Sequence, residues 1–213
     1  MSIGIFGNKI GMTQVFNKDG LALPVTIIRV GNCFITQLKT ESKNGYNAIQ
    51  IGYLKRKRIR VTKAELGHLT KNGLPPLLHL QEYRVPDLND YSLGQIINVN
   101  HFEIGQLVNV SGKSIGKGFS GNQKRHKFKR GPMTHGSKNH KAPGSIGPGT
   151  TPGRVLPGKK MAGQLGAKRI TVSKVRILGI DEKQNLLILK GSIPGKSGNL
   201  LSISCSDQLK KIK

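Results

Sequence analysis

Between Glu103 and Asp181 the chain runs for 77 residues without one aspartate or glutamate, yet 16 of its 35 lysines and arginines lie there. Such a stretch cannot neutralise itself through internal ion pairs. From residue 119 to about 165 it is also rich in glycine and is interrupted by Pro132, Pro143, Pro148, Pro152 and Pro157. Its apolar residues follow neither strand alternation nor helical periodicity. A segment of this kind cannot build a core of its own. Long loops without regular structure in compact domains are usually functional or disordered, and this composition suggests a segment ordered by its partner.

The remainder of the 213 residues is moderately charged and holds all 10 acids, so that the whole chain carries a formal charge of +25. A compact protein with that imbalance repels itself unless a polyanion neutralises it, and nucleic acid is the commonest polyanion of that size. An anionic membrane surface would call for a basic helix with a bulky apolar face or a long apolar segment. No run approaches the roughly 18 apolar residues of a spanning helix. Cys33 and Cys205 are the only cysteines, too few for a disulfide framework or a four-cysteine zinc site. Both sit in apolar-alternating stretches and read as core fillers. The opening Met1-Ser2-Ile3-Gly4 reads as strand, so no signal or transit peptide is expected.

The body reads as β. Apolar or β-prone runs occur at Ile3 to Phe16, Val25 to Val30, Cys33 to Leu38, Ala48 to Tyr53 and Leu107 to Val110. Ile170 to Ile180 and Leu186 to Lys190, joined by the turn-like Asp181 to Asn185, predict a hairpin, and Leu200 to Ser204 a last strand. Many short strands at this spacing point to a barrel or sandwich. Thr62-Lys63-Ala64-Glu65 has capping-box spacing and predicts a short helix with Leu66 and Leu69 on its apolar face, ended by Gly73, Pro75 and Pro76. A second short helix is expected within Ser120 to Phe128, stopped by Gly131-Pro132.

Several catalytic readings fail on context. Gly116-Lys117-Gly118-Phe119-Ser120-Gly121 matches the dinucleotide fingerprint, but no acid follows until Asp181 and strand–helix alternation is missing. Gly153 to Lys159 begins like a P-loop, yet Lys160 replaces the magnesium-binding hydroxyl and Pro157 removes a phosphate-facing N–H. His126, His135 and His140 lack cysteine or carboxylate companions and lie among lysines and arginines, which oppose a bound cation. No metal, cofactor or catalytic constellation is expected, and an RNA-modifying enzyme would need one. Lys55-Arg56-Lys57-Arg58 adds positive potential to the body. An architectural DNA binder would show dimerisation heptads or a recognition helix, and neither is visible.

What remains is recognition of folded RNA through backbone and shape. With six Phe, four Tyr and no Trp, the chain is poor in the aromatic platforms on which single-strand binders stack bases. Arg125, Arg130, Arg154 and Arg169 can grip phosphates bidentately. Lys113, Lys117, Lys124, Lys127, Lys129, Lys138, Lys141, Lys159, Lys160 and Lys168 supply mobile charge. His126, His135, His140 and Gln164 complete the candidate RNA contacts.

These residues fall within motifs that resemble a known family. Phe102, Asn109, Gly112, Ser114, Gly116-Lys117-Gly118, Gly121 and Arg125 are similar to the signature of bacterial-type large-subunit ribosomal protein three. So are Thr134-His135-Gly136, Pro143 to Gly147, Thr151-Pro152-Gly153 and Gly158 to Gly166. The opening Gly7 to Gln14 and the helix Glu65 to Leu69 extend the resemblance over essentially the whole chain, and Leu77 to Arg84 resembles the cyanobacterial and plastid branch. The resemblance implies a mainly β protein, a closed six-stranded barrel of translation-factor type over 1–112 and 167–213, with a helical insertion at about 62–73. It implies a basic extension over 113–166, with its tip near Gly147 to Arg154, reaching through large-subunit ribosomal RNA toward the peptidyl-transferase centre. Implied partners are that RNA and neighbouring ribosomal proteins near the factor-binding region, with no membrane and no homo-oligomer. An early role in subunit assembly and a location in a plastid stroma or bacterial cytoplasm follow from the same resemblance. Bacterial relatives often carry a glutamine near the tip, methylated in some of them; residues 148 to 151 read Pro-Gly-Thr-Thr here, so that modification is not carried over.

Overall fold

A computed structural model describes residues 3–206. In chain order the strands are β1 (Gly4–Phe16), β2 (Ala22–Val30), β3 (Cys33–Lys39), β4 (Ala48–Lys55), β5 (Leu77–Arg84), β6 (Ile96–Ile97), β7 (Leu107–Lys113), β8 (Phe119–Ser120), β9 (Gly163–Gln164), β10 (Arg169–Asp181), β11 (Leu186–Lys190) and β12 (Leu200–Cys205). The helices are α1 (Glu41–Asn44), α2 (Lys63–Thr70) and α3 (Asn122–His126). The chain divides into two compact units, one running up to Lys113 and resuming at Arg169, the other being Ser114–Lys168.

The first unit contains a closed antiparallel barrel in the order β1-β12-β7-β10-β11-β2. Period-two alternation aims its side chains: Val108 and Val110 of β7, Val175 and Ile177 of β10, Leu187 and Leu189 of β11, and Leu201 and Ile203 of β12 all turn inward and are buried. Bulges between Lys9 and Gly11 in β1 and at two places in β10 add the local bend and twist that closure demands. Closure matters because it pairs every strand edge.

A four-stranded sheet, β5-β4-β3-β6, packs on the same core. The sequence reading assigned β3 and β4 to the barrel body, and the structure separates them from it. Short alternating strands look alike whichever sheet they join, because pairing partners are set by long-range contacts. Ile5 and Phe6 of β1 are neighbours with opposite-facing side chains, yet both are buried. The second sheet supplies the extra cover: Phe6 stacks on Tyr53 at 5.8 Å and meets Tyr83 edge-on at 6.4 Å. The Tyr83 hydroxyl bonds Ser202 Oγ at 2.6 Å and Tyr53 donates to Asn8 Oδ1 at 3.0 Å. Burial pushes the Tyr83 phenol up to about 12. Gly4 is required here, since a Cβ would overlap the Tyr83 ring.

The capping box forms as expected: Glu65 N–H donates to Thr62 Oγ1 and Thr62 N–H to Glu65 Oε2. Leu69 is buried and Leu66 half-buried, and Leu69 packs with Leu74 and Leu77 in a satellite cluster against Phe34 and Leu80. Cys33 is buried, its thiol pushed up to about 12 by desolvation, whereas Cys205 is half-buried at the core's margin. Lys39, Tyr46 and Glu82 tie β3 to β5: Lys39 Nζ lies 2.6 Å from Glu82 Oε1 and 3.0 Å from the Tyr46 hydroxyl, which donates to Glu82 Oε2.

Ile203 is fully enclosed within the barrel. Ile203→Ala should cost about 2–5 kcal/mol in urea unfolding, the range for a truncated aliphatic side chain in a core. The Lys39 hydrogen bond holds the Glu82 carboxyl below its ordinary range. Its stabilisation is therefore present above the unfolded glutamate pKa of about 4.3 and fades as pH falls through the lower folded value. Glu82→Gln should lower the melting temperature at neutral pH, with the difference vanishing in strong acid.

Candidate nucleic-acid interface

The strands that carry the second unit are paired neighbours in the barrel. Lys113 at the end of β7 faces Arg169 at the start of β10, and Asn199 Nδ2 donates to the Lys113 carbonyl at 3.2 Å. The unit Ser114–Lys168 then begins as a narrow ladder. Ser114 N–H donates to the Lys168 carbonyl at 2.9 Å, Lys117 N–H to Leu165, and Leu165 N–H to Gly118. β8 and β9 continue it for two residues each. Gly166, at φ +73°, fits because a Cβ would overlap the Ile115 carbonyl.

Beyond the ladder α3 occupies Asn122–His126, shorter than the expected Ser120 to Phe128. Lys127 takes a left-handed conformation at φ 59° and ends it there, so the helix stops before Gly131-Pro132. From Lys127 to Ala162 no regular element follows. The path is fixed instead by isolated bonds. Arg125 Nη1 donates to the Met161 carbonyl at 2.6 Å, and His126 Nε2 lies 3.0 Å from the same oxygen. Gly163 has no side chain, and the Arg125 guanidinium lies where its Cβ would be. Gly131 N–H donates to the His140 carbonyl and His140 Nδ1 sits 3.0 Å from the Pro132 carbonyl. Sequence reading could not find Met161, because its contribution is a backbone oxygen. Asn122 Oδ1 and Gln123 Nε2 are buried without a hydrogen-bond partner within the described residues.

The predicted contact residues are overwhelmingly solvent-facing. Lys113, Lys117, Lys124, Lys127, Lys129, Arg130, His135, Lys138, Lys141, Arg154, Lys159, Lys160, Gln164, Lys168 and Arg169 are exposed; Arg125, His126 and His140 are intermediate. Every residue from 141 to 162 is exposed. The three histidines do not converge: His126 and His140 serve separate carbonyls, and His135 sits apart in its own left-handed turn at φ 59°. Among the described residues no three His, Cys, Asp or Glu side chains gather as a metal site, and no helix is long and apolar enough to cross a membrane. What this unit offers is a dense array of mostly exposed cations on a glycine-rich backbone.

Residues 87–186 match the model of the family described as Ribosomal protein L3. The large ribosomal subunit protein uL3c of Phaeodactylum tricornutum is 60% identical over 203 residues, covering 95% of this chain and 98% of the relative. The chain belongs to the ribosomal protein L3 family. Large ribosomal subunit protein uL3 of Picosynechococcus sp. is 58% identical, covering 97% of this chain and 98% of its own, and uL3c of Guillardia theta is 55% identical over its entire length. L3 proteins are structural components of the ribosome rather than enzymes. The cyanobacterial and plastid relatives agree with the branch that Leu77 to Arg84 resembles.

Gly166→Ala should force the ladder open. Limited proteolysis should then cut faster within 114–168, while the barrel's unfolding midpoint stays at the parent value.

Proposed function

We propose that this chain is a structural constituent of the large ribosomal subunit that binds the subunit's RNA directly, chiefly through Ser114–Lys168 and its roots at Lys113 and Arg169. The observation that carries the reading is an exposed, acid-free run of cations on a glycine-rich backbone. Packing RNA helices together brings phosphates close, and interposed lysines, arginines and N–H groups remove the repulsion. In this reading Arg130 and Arg154, both exposed, grip phosphates bidentately. Exposed Ile115, Phe119, Met133, Ile146 and Leu156 provide apolar anchors against sugar and base faces. In this reading the barrel holds the two ends of the segment, residues near Gly147 to Arg154 buttress RNA toward the peptidyl-transferase centre, and early binding helps nucleate assembly. Neighbouring large-subunit proteins flank the barrel, the chain acts as a single copy, and the compartment is a plastid stroma or bacterial cytoplasm.

The test is a salt titration of the full-length protein on large-subunit RNA. Neutralising 6–10 phosphates should lower affinity about 10³–10⁵-fold between 50 and 200 mM salt. Deletion of residues 120–165 should leave a folded barrel with weakened binding and a shallower slope. A flat salt response, or equal competition by duplex DNA at matched salt, contradicts the reading.

A further inference from the structure

Four cations of the acid-free stretch lie outside the inserted unit: Lys113 and Arg169 at its roots, and Lys174 and Arg176 further along β10. In β10, Val172 pairs with Val110 and Val175 with Val108, so Ser173 and Lys174 together oppose the single residue Asn109. This bulge has an unusual backbone. Lys174 sits at φ 58°, a left-handed conformation that is costly for a lysine and ordinarily filled by glycine or asparagine. Asn109 holds it there, its Oδ1 accepting the Lys174 N–H at 3.0 Å. The bulge turns Ser173 and Lys174 outward in succession, and both are exposed. Strain of this sort in a surface strand invites a functional explanation.

The neighbouring charges sharpen it. Ile177 of β10 pairs with Leu189 of β11, and Arg176 and Lys190 stand at the next position on the two strands, both exposed. Lys174, Arg176 and Lys190 line one groove together with Ser173, Gly191 and Ser192. Among the described residues no carboxylate lines it. Its apolar residues, Leu107, Val172 and Val175, are half-buried or buried, so it lacks the aromatic and apolar anchors on which protein interfaces depend. A guanidinium fork, two ammonium groups and two hydroxyls form a donor set suited to phosphate oxygens.

We propose that the β10 bulge and the end of β11 form a second RNA-binding site on the barrel, in which Lys174, Arg176 and Lys190 hold the phosphate backbone of folded RNA. The proposal rests on the RNA-binding reading above but involves none of the residues of Ser114–Lys168. It also gives the strained lysine a role, since the bulge adds a third cation to the groove that Arg176 and Lys190 already line.

The experiment uses the full-length protein and large-subunit RNA, comparing the parent with the Lys174→Ala, Arg176→Ala, Lys190→Ala triple variant. Loss of three phosphate contacts should make the slope of log affinity against log salt shallower by about 2–3, so the affinity lost between 50 and 200 mM shrinks by about 40-fold. Lys174→Gly should keep the bulge, melt at or above the parent's temperature because glycine suits the left-handed position, and still flatten the slope by about one. An unchanged slope in the triple variant overturns the proposal. So does a triple variant with parental RNA slope that fails to be retained in reconstituted subunits, which would mark the groove as a protein-docking face. A lower melting temperature for Lys174→Gly with unchanged RNA affinity would make the bulge purely structural. The deletion of residues 120–165 separates the two claims. If the deletion flattens the slope and the triple substitution does not, only the barrel site fails; if neither does, the RNA-binding reading fails with it.

Discussion

Positive charge without internal compensation is the constraint around which this molecule is built. Within Ser114–Lys168 no acid is available, so every lysine and arginine there repels its neighbours at short range, with relief only from solvent and salt screening over about 8–10 Å. A chain segment in that condition gains little from collapsing on itself. It also has few apolar residues to bury, and its glycines and prolines favour bends over ladders or helices. The result is a unit held by a short ladder and scattered carbonyl contacts, with its cations facing outward.

The closed barrel is the complement to that unit. A long inserted segment adds an entropic cost that grows only slowly with its length when its ends are held together, and here the ends are adjacent barrel strands. Closing the sheet, covering one side of β1 with a second sheet and tying the sheets through Tyr53 and Tyr83 concentrates the stabilising apolar contacts in one core. That core carries the folding free energy, which leaves the inserted unit free of the need to supply any. The left-handed Lys174 shows the same division of labour on a smaller scale: a backbone conformation unfavourable in itself is tolerated because Asn109 and the surrounding ladder over-determine it.

Much of this was legible in the sequence, for identifiable reasons. The hairpin of β10 and β11, the strands β7 and β12 and the capping box at Thr62 declare themselves through alternation, turn chemistry and reciprocal side-chain bonding, all of which are local. The acid-free run is likewise a property of composition. The second sheet was not separable from the barrel, because β3 and β4 alternate as barrel strands do and their partners are distant in the chain. β5 carries no local signal, because Leu77 to Arg84 is half-buried along most of its length and shows no clean alternation. Met161 could not be anticipated, since a backbone oxygen leaves no residue-type signal. Lys174 and Arg176 are visible in the sequence as cations of the acid-free stretch, but only the fold of β10 against β7 and β11 brings them into one groove with Lys190.

The central claim is that the charge on Ser114–Lys168 is balanced by phosphate. The most direct measurement is a high-resolution cryo-electron-microscopy map of large ribosomal subunits assembled with this chain. The account predicts that most of the exposed lysine and arginine head groups between Lys113 and Arg169 lie within ion-pair distance of RNA phosphate oxygens. A map in which those head groups instead pack against carboxylates of protein, with no polynucleotide near them, would contradict it.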